Sequence, residues 1–161
     1  VHEIDGPVAV RYPRGGEDGY HDDHSGEAAS VLRPGRDLTL VTFGAITGNA
    51  LRAAERLAQE GISCEVVKLG QIAPLPQEVV LASLRKTGRL LVVQECVDQG
   101  APGEDVLAAA ALAGIALRGA AVCSCGTGFV PHGSVAQLRQ LCGLDVAGIV
   151  KRAQEVMAHG E

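Results

Sequence analysis

Two arginines on a proline–glycine turn, Arg11 and Arg14 in the run RYPRGG, are the most chemically suggestive side chains in the sequence. Guanidinium groups present a rigid fork that matches phosphate oxygens two at a time, and Pro13 fixes the backbone that carries them. The same two residues would also pair with the acidic run that follows, GGEDGYHDDH. The residues alone leave both readings open. Within that run His21 and His24 flank two aspartates, as metal ligands can, but a polar, glycine-rich stretch fixes no ligand geometry. No metal site is assigned there.

Three further positions sit where an α/β protein puts its chemistry, after the ends of strands. Glu95 follows the apolar run RLLVVQ and reads as an interface or hydrogen-bonding carboxylate. Cys96 beside it lacks a neighbouring histidine to stabilise a thiolate, so it is not read as a nucleophile. His132, between Pro131 and Gly133, reads as a turn residue that either borders a ligand or packs on a neighbour. The run GAITGN after Phe43 lacks the glycine spacing of a dinucleotide loop, and no Gly-rich Lys-Ser/Thr phosphate loop, HExxH or Ser-His-Asp order is present. No catalytic residue is assigned within the domain.

The elements that hold these positions follow from periodicity. Strands are expected at Ala28–Leu32, Leu38–Phe43, Ile62–Leu69, Arg89–Gln94 and Ala120–Cys125, with Cys123 and Cys125 on one face of the last. Helices are expected from about Ile46 to Gln59, from Pro74 to Leu84, from Glu104 to Ala113 and from Ser134 to the stop at Gly143. A terminal helix capped by Asp145 runs to about Met157. Strands alternating with helices require crossovers, hence a mostly parallel sheet covered on both faces. The first strand has no helix before the second and is the expected antiparallel edge. The fold class is therefore three-layer α/β/α, with a five-stranded sheet. A short strand at Val8–Val10 lies ahead of the linker.

Composition narrows the classes. Apolar residues make up 47% of the 161 residues but aromatics only 2%, so the core must be aliphatic. A net charge of -5 argues against a nucleic-acid partner. No apolar run reaches the roughly 18 residues of a membrane span. Five cysteines without paired CxxC spacing read as reduced thiols of a cytoplasmic protein.

The pieces GPVAVRYPRG, LPQEVV, RLLVVQE, FVPHGSVAQL and GLDVAGI, in this order, resemble the C-terminal part of the 1-deoxy-D-xylulose-5-phosphate synthase family, thiamine diphosphate-dependent relatives of transketolase. The resemblance implies that residues 1–15 are the tail of a preceding pyrimidine-binding domain, 16–25 a linker and 26–161 a transketolase C-terminal-like domain. It implies that Arg14, and more weakly Arg11, contacts the phosphate of glyceraldehyde 3-phosphate. Glu95 and His132 would lie at an interface or the border of the site. The implied parent is a homodimer that binds thiamine diphosphate and Mg2+ on upstream domains of the same chain. It joins decarboxylated pyruvate to the aldehyde, with loss of CO2, as a step toward isoprenoid precursors. The domain itself would be structural and inactive alone. A transketolase, a 2-oxoacid dehydrogenase β-type subunit and a non-catalytic subunit-association module are the alternatives. The sequence departs from the family's usual runs at Gly70, Ala73, Pro76, Gln94, Ala101 and Gly126-Thr127.

Overall fold

The computed structural model describes residues 5–10 and 26–159. Residues 5–10 belong to no helix or strand, and Val8 and Val10 are exposed. Val8–Val10, expected as a strand, pair with no strand among the described residues.

Five strands, β1 (Ala29–Arg33), β2 (Leu38–Thr42), β3 (Cys64–Leu69), β4 (Arg89–Val93) and β5 (Gly119–Cys123), build one sheet in the order β1-β3-β2-β4-β5. All neighbours are parallel except β1, which pairs antiparallel with β3 at the edge. β1 and β2 are joined by a short turn through Pro34 and Gly35, whereas each later strand follows a helical crossover. A short connection can only reverse direction or reach a different neighbour, and here the chain takes β1 to the far side of β3.

The two faces of the sheet alternate residue by residue. Leu38, Leu40, Val66, Leu91 and Val93 point into a core shared with α1 (Thr47–Gln59) and α5 (Val146–Ala158). Val41, Val67, Leu90 and Val92 point the other way, into a core shared with α2 (Gln77–Thr87) and α3 (Pro102–Leu112). Period-two alternation with both sides apolar is what a sheet covered on both faces demands. The three-layer α/β/α class expected from the sequence is the observed one.

Several boundaries move. The second helix was expected from Pro74 but begins at Gln77, because a proline disfavours helical geometry in the residue before it, and Pro74 and Pro76 follow one another closely. It runs on to Thr87, where Gly88 takes a left-handed φ of 64° as its C-cap. The last strand ends at Cys123 rather than Cys125, since its single partner β4 ends at Val93. Cys123 and Cys125 still contribute to the same side of the sheet, but Cys125 lies beyond the strand.

α4 (Val135–Leu141) is short and has no buried residue. Ser134 caps it reciprocally: the Gln137 N–H donates to Ser134 Oγ at 3.3 Å, and the Ser134 N–H donates to Gln137 Oε1 at 3.1 Å. α5 is entered through Gly143-Leu144-Asp145. Gly143 has a φ of 67°, Leu144 is buried, and Asp145 Oδ1 accepts from the Gly148 N–H at 3.0 Å.

Candidate functional site

The carboxyl ends of β4 and β5 and the segment 124–141 form one rim of the domain, and the sequence-predicted positions fall along it. Gln94, fully buried, organises the turn after β4. Its Oε1 accepts from the Gly103 N–H at 2.9 Å and its Nε2 donates to the Val97 carbonyl at 3.2 Å. That fixes where Glu95 leaves the sheet. Beyond the strand ends, the Gln94 N–H still donates to the Cys123 carbonyl, the Cys125 N–H to that of Cys96, and the Asp98 N–H to that of Gly126. Ser124 Oγ donates to Asp98 Oδ1 across the same gap.

Glu95 is committed to α4. Arg139 Nε donates to Glu95 Oε1 at 2.6 Å and Arg139 Nη2 to Glu95 Oε2 at 3.2 Å. This is a two-point guanidinium–carboxylate contact between residues 44 apart in the chain. It makes Glu95 a tether for α4. Beneath it lies a cleft of about 180 Å³ lined by Glu95, Cys125, Val130, Val135, Arg139 and Cys142, among others. His132 is exposed and does not line that cleft. The structure therefore does not join Glu95 and His132 in one site. Arg11 and Arg14 lie outside the described residues.

Large apolar side chains crowd the same rim. Phe129 is fully exposed, and Val97, Val130, Val135 and Leu141 are each 39% exposed or more. A second cleft, of about 320 Å³, joins Phe129, Val130 and Leu141 to Cys125 and Cys142. Helix α4 buries no side chain and stands beside clefts walled largely by aliphatic groups, so a large apolar patch lies exposed here. Cys96 is half-buried, and burial, with the Asp98 charge next, raises its thiol pKa, the opposite of what a nucleophile needs.

Sequence reading missed two arrangements. Arg139 gives no signal of its own beyond being the single basic residue of α4, and its partner is found only in three dimensions. Glu65 was also missed, although a carboxylate inside the apolar run CEVVKL is a visible anomaly. It is buried at the opposite rim, where Lys86 pairs with it and the Gly35 N–H donates to its Oε2 at 3.2 Å. Burial works to raise its pKa, but the hydrogen bonds from Lys86, Ser83 and Gly35 outweigh it and the net shift is downward. Nearby, Thr39 Oγ1 shares hydrogen bonds of 2.7 Å with the hydroxyls of Ser83 and Thr87. These groups hold α2 to the sheet.

Among the described residues no three His, Cys, Asp or Glu side chains gather as a metal site. The buried carboxylate Glu65 is already bound to Lys86. The described residues thus offer no carboxylate cluster of the kind that holds Mg2+. Among them no helix is long and apolar enough to cross a membrane.

The family model described as "Transketolase, C-terminal domain" matches residues 27–149. The 1-deoxy-D-xylulose-5-phosphate synthase of Heliobacterium modesticaldum is 35% identical over 161 residues, covering 96% of this chain and 24% of its own length. The chain spans about a quarter of the length of the synthases it matches. The pyruvate dehydrogenase E1 component subunit beta-1 of Arabidopsis thaliana is 52% identical over 67 residues, 42% of this chain and 18% of that subunit. Among solved structures, a split-gene transketolase described as an inactive beta4 tetramer superposes with a TM-score of 0.72 at 28% identity, covering 83% of this chain and 43% of that one.

Proposed function

Because the chain belongs to the transketolase C-terminal domain family, we propose that it is the structural, dimer-supporting domain of a 1-deoxy-D-xylulose-5-phosphate synthase. The observation that carries this reading is the extent of the match, which takes in 94–96% of the chain in a series of synthases at 33–38% identity. The parent would condense pyruvate with glyceraldehyde 3-phosphate and release CO2, a transferase reaction in a cytoplasmic homodimer. Thiamine diphosphate and Mg2+ would be held by domains beyond these 161 residues. The part played by this domain is assembly: the apolar rim around Phe129, Val130 and Leu141 would be covered by neighbouring domains of the dimer, with Glu95 and Arg139 holding α4 in place for the contact. Arg14 is the proposed contact to the aldehyde phosphate, with Arg11 beside it.

The test is an assay of the parent polypeptide with thiamine diphosphate, Mg2+ and pyruvate, offered either glyceraldehyde 3-phosphate or a lipoyl acceptor. The proposal predicts 1-deoxy-D-xylulose 5-phosphate with the aldehyde and no acetyl transfer to the lipoyl group. The 52% identity over 67 residues favours a second reading, a 2-oxoacid dehydrogenase β-type subunit. Acetyl transfer without the sugar phosphate would select that reading. The 161-residue chain alone, given the same mixture, should form no product.

A further inference from the structure

Three of the five cysteines meet at the carboxyl rim although the chain separates them widely. Cys96 follows β4, Cys125 follows β5, and Cys142 is the C-cap of α4. Cys125 and Cys142 wall the same two clefts and pack against the same core cluster. Cys96 reaches Cys125 through a backbone bond, its carbonyl accepting from the Cys125 N–H at 2.9 Å. Both cysteines that share the clefts have anchored backbones. The Cys142 N–H donates to the Leu138 carbonyl at 3.0 Å, and the next residues are tied by the Asn49 side chain, which donates to the Leu144 carbonyl at 2.8 Å.

We propose that Cys125 and Cys142 form a reversible disulfide that staples the two ends of segment 126–141, the stretch that carries Phe129, His132 and α4. The oxidant is a small disulfide. One cysteine, as thiolate, attacks a sulfur of that reagent and releases one thiol; the second then attacks the mixed disulfide and releases the other. The protein loses two S–H bonds and two electrons and gains one S–S bond. The reagent loses its S–S bond, accepts the two electrons and takes up the two protons. Burial first, and the neighbouring Cys142 second, push the Cys125 thiol up to about 11. A dithiol whose thiolate is not stabilised holds its disulfide firmly against reduction, which suits a slow, lasting staple rather than a catalytic redox pair. Both thiols are half-buried but line open clefts, so a glutathione-sized reagent has a way in.

The experiment oxidises the 161-residue protein with oxidised glutathione under native conditions, then alkylates all remaining thiols in denaturant and maps the peptides by mass spectrometry. The expected result is a Cys125–Cys142 cross-link, a melting temperature raised by about 5–10 °C, and reversal of both by dithiothreitol. Cys125→Ser and Cys142→Ser should each abolish the cross-link and the shift, and Cys96→Ser should keep them. A Cys96–Cys125 link, glutathione adducts alone, or full alkylation of both Cys125 and Cys142 after oxidation would overturn the proposal.

Discussion

Glu65 is a charged group inside a strand whose other residues are mostly buried and apolar, and its carboxylate is kept ionised by Lys86 and the Gly35 N–H. Its folded-state pKa lies below the ordinary value, so the folded protein binds that proton less readily than the unfolded chain does. The stabilisation is complete above the unfolded pKa, near 4.5, and is lost as pH falls through the lowered value. Acid titration of unfolding should therefore show a loss of stability below about pH 4.5 that is shallower in Glu65→Gln. Lys86 is half exposed and can return to water, so the substitution should cost about 1–3 kcal/mol at neutral pH, mainly from the unpaired buried groups, as chemical denaturation would measure. Gly148 gives a second prediction. A Cβ there would lie 2.5 Å from the Gly143 carbonyl oxygen, with backbone atoms rather than a flexible side chain in the way. Gly148→Ala should thus destabilise by more than Asp145→Ala, which removes one N-cap worth about 1 kcal/mol. Equal melting temperatures for the two variants would contradict the close approach. The run GLDVAGI is accordingly a helix-entry device: a left-handed glycine, a buried leucine, a capping aspartate and a glycine against which the turn closes. At the same scale, Arg14→Ala in the parent should raise the KM for glyceraldehyde 3-phosphate about 10–100-fold and leave pyruvate decarboxylation intact, as expected for one lost charge-assisted phosphate contact. An unchanged KM would remove Arg14 from the site.

Helix α4 is the element whose place depends least on burial. With no buried residue it is held by its cap, by the Glu95–Arg139 pair and by the partly buried side chains that line the cleft beneath it. Arg139→Ala should therefore change global stability by no more than about 1 kcal/mol, as for most exposed ion pairs. It should markedly speed amide hydrogen exchange across 135–141, because local opening and global unfolding are then separate events. Unaltered exchange there would mean that the pair does not hold the helix. The contrast with β2 and β4 explains what could be read from the chain. Strands buried on both faces carry unbroken apolar runs, and helices between them carry glycine stops, so element order, layer class and the antiparallel edge were legible. The start of α2 was misplaced because two closely spaced prolines look like a helix entry while excluding helical geometry before them. The end of β5 was misplaced because a strand stops where its partner does, and no local pattern records that. The grouping of Cys125 with Cys142 and of Glu95 with Arg139 was illegible for the same reason: both are contacts between elements.

At the scale of the whole molecule, the two ends of the sheet do different work. The amino end is closed by buried polar bonds among Thr39, Glu65, Ser83, Lys86 and Thr87, whereas the carboxyl end leaves Phe129, Val130 and Leu141 in the open. On the proposed reading, the exposed apolar rim of a domain that spans a quarter of its relatives' length would be covered in a larger assembly. On that same reading, the domain would contribute to catalysis by holding the parent's reacting domains together. Sedimentation equilibrium of the parent polypeptide carrying Phe129→Asp and Val130→Asp measures this directly. Dissociation to monomers at a concentration at least ten times higher than for the unsubstituted parent, with the 161-residue chain still folded, is the predicted result. A dimer of undiminished stability would contradict an assembly role for this surface.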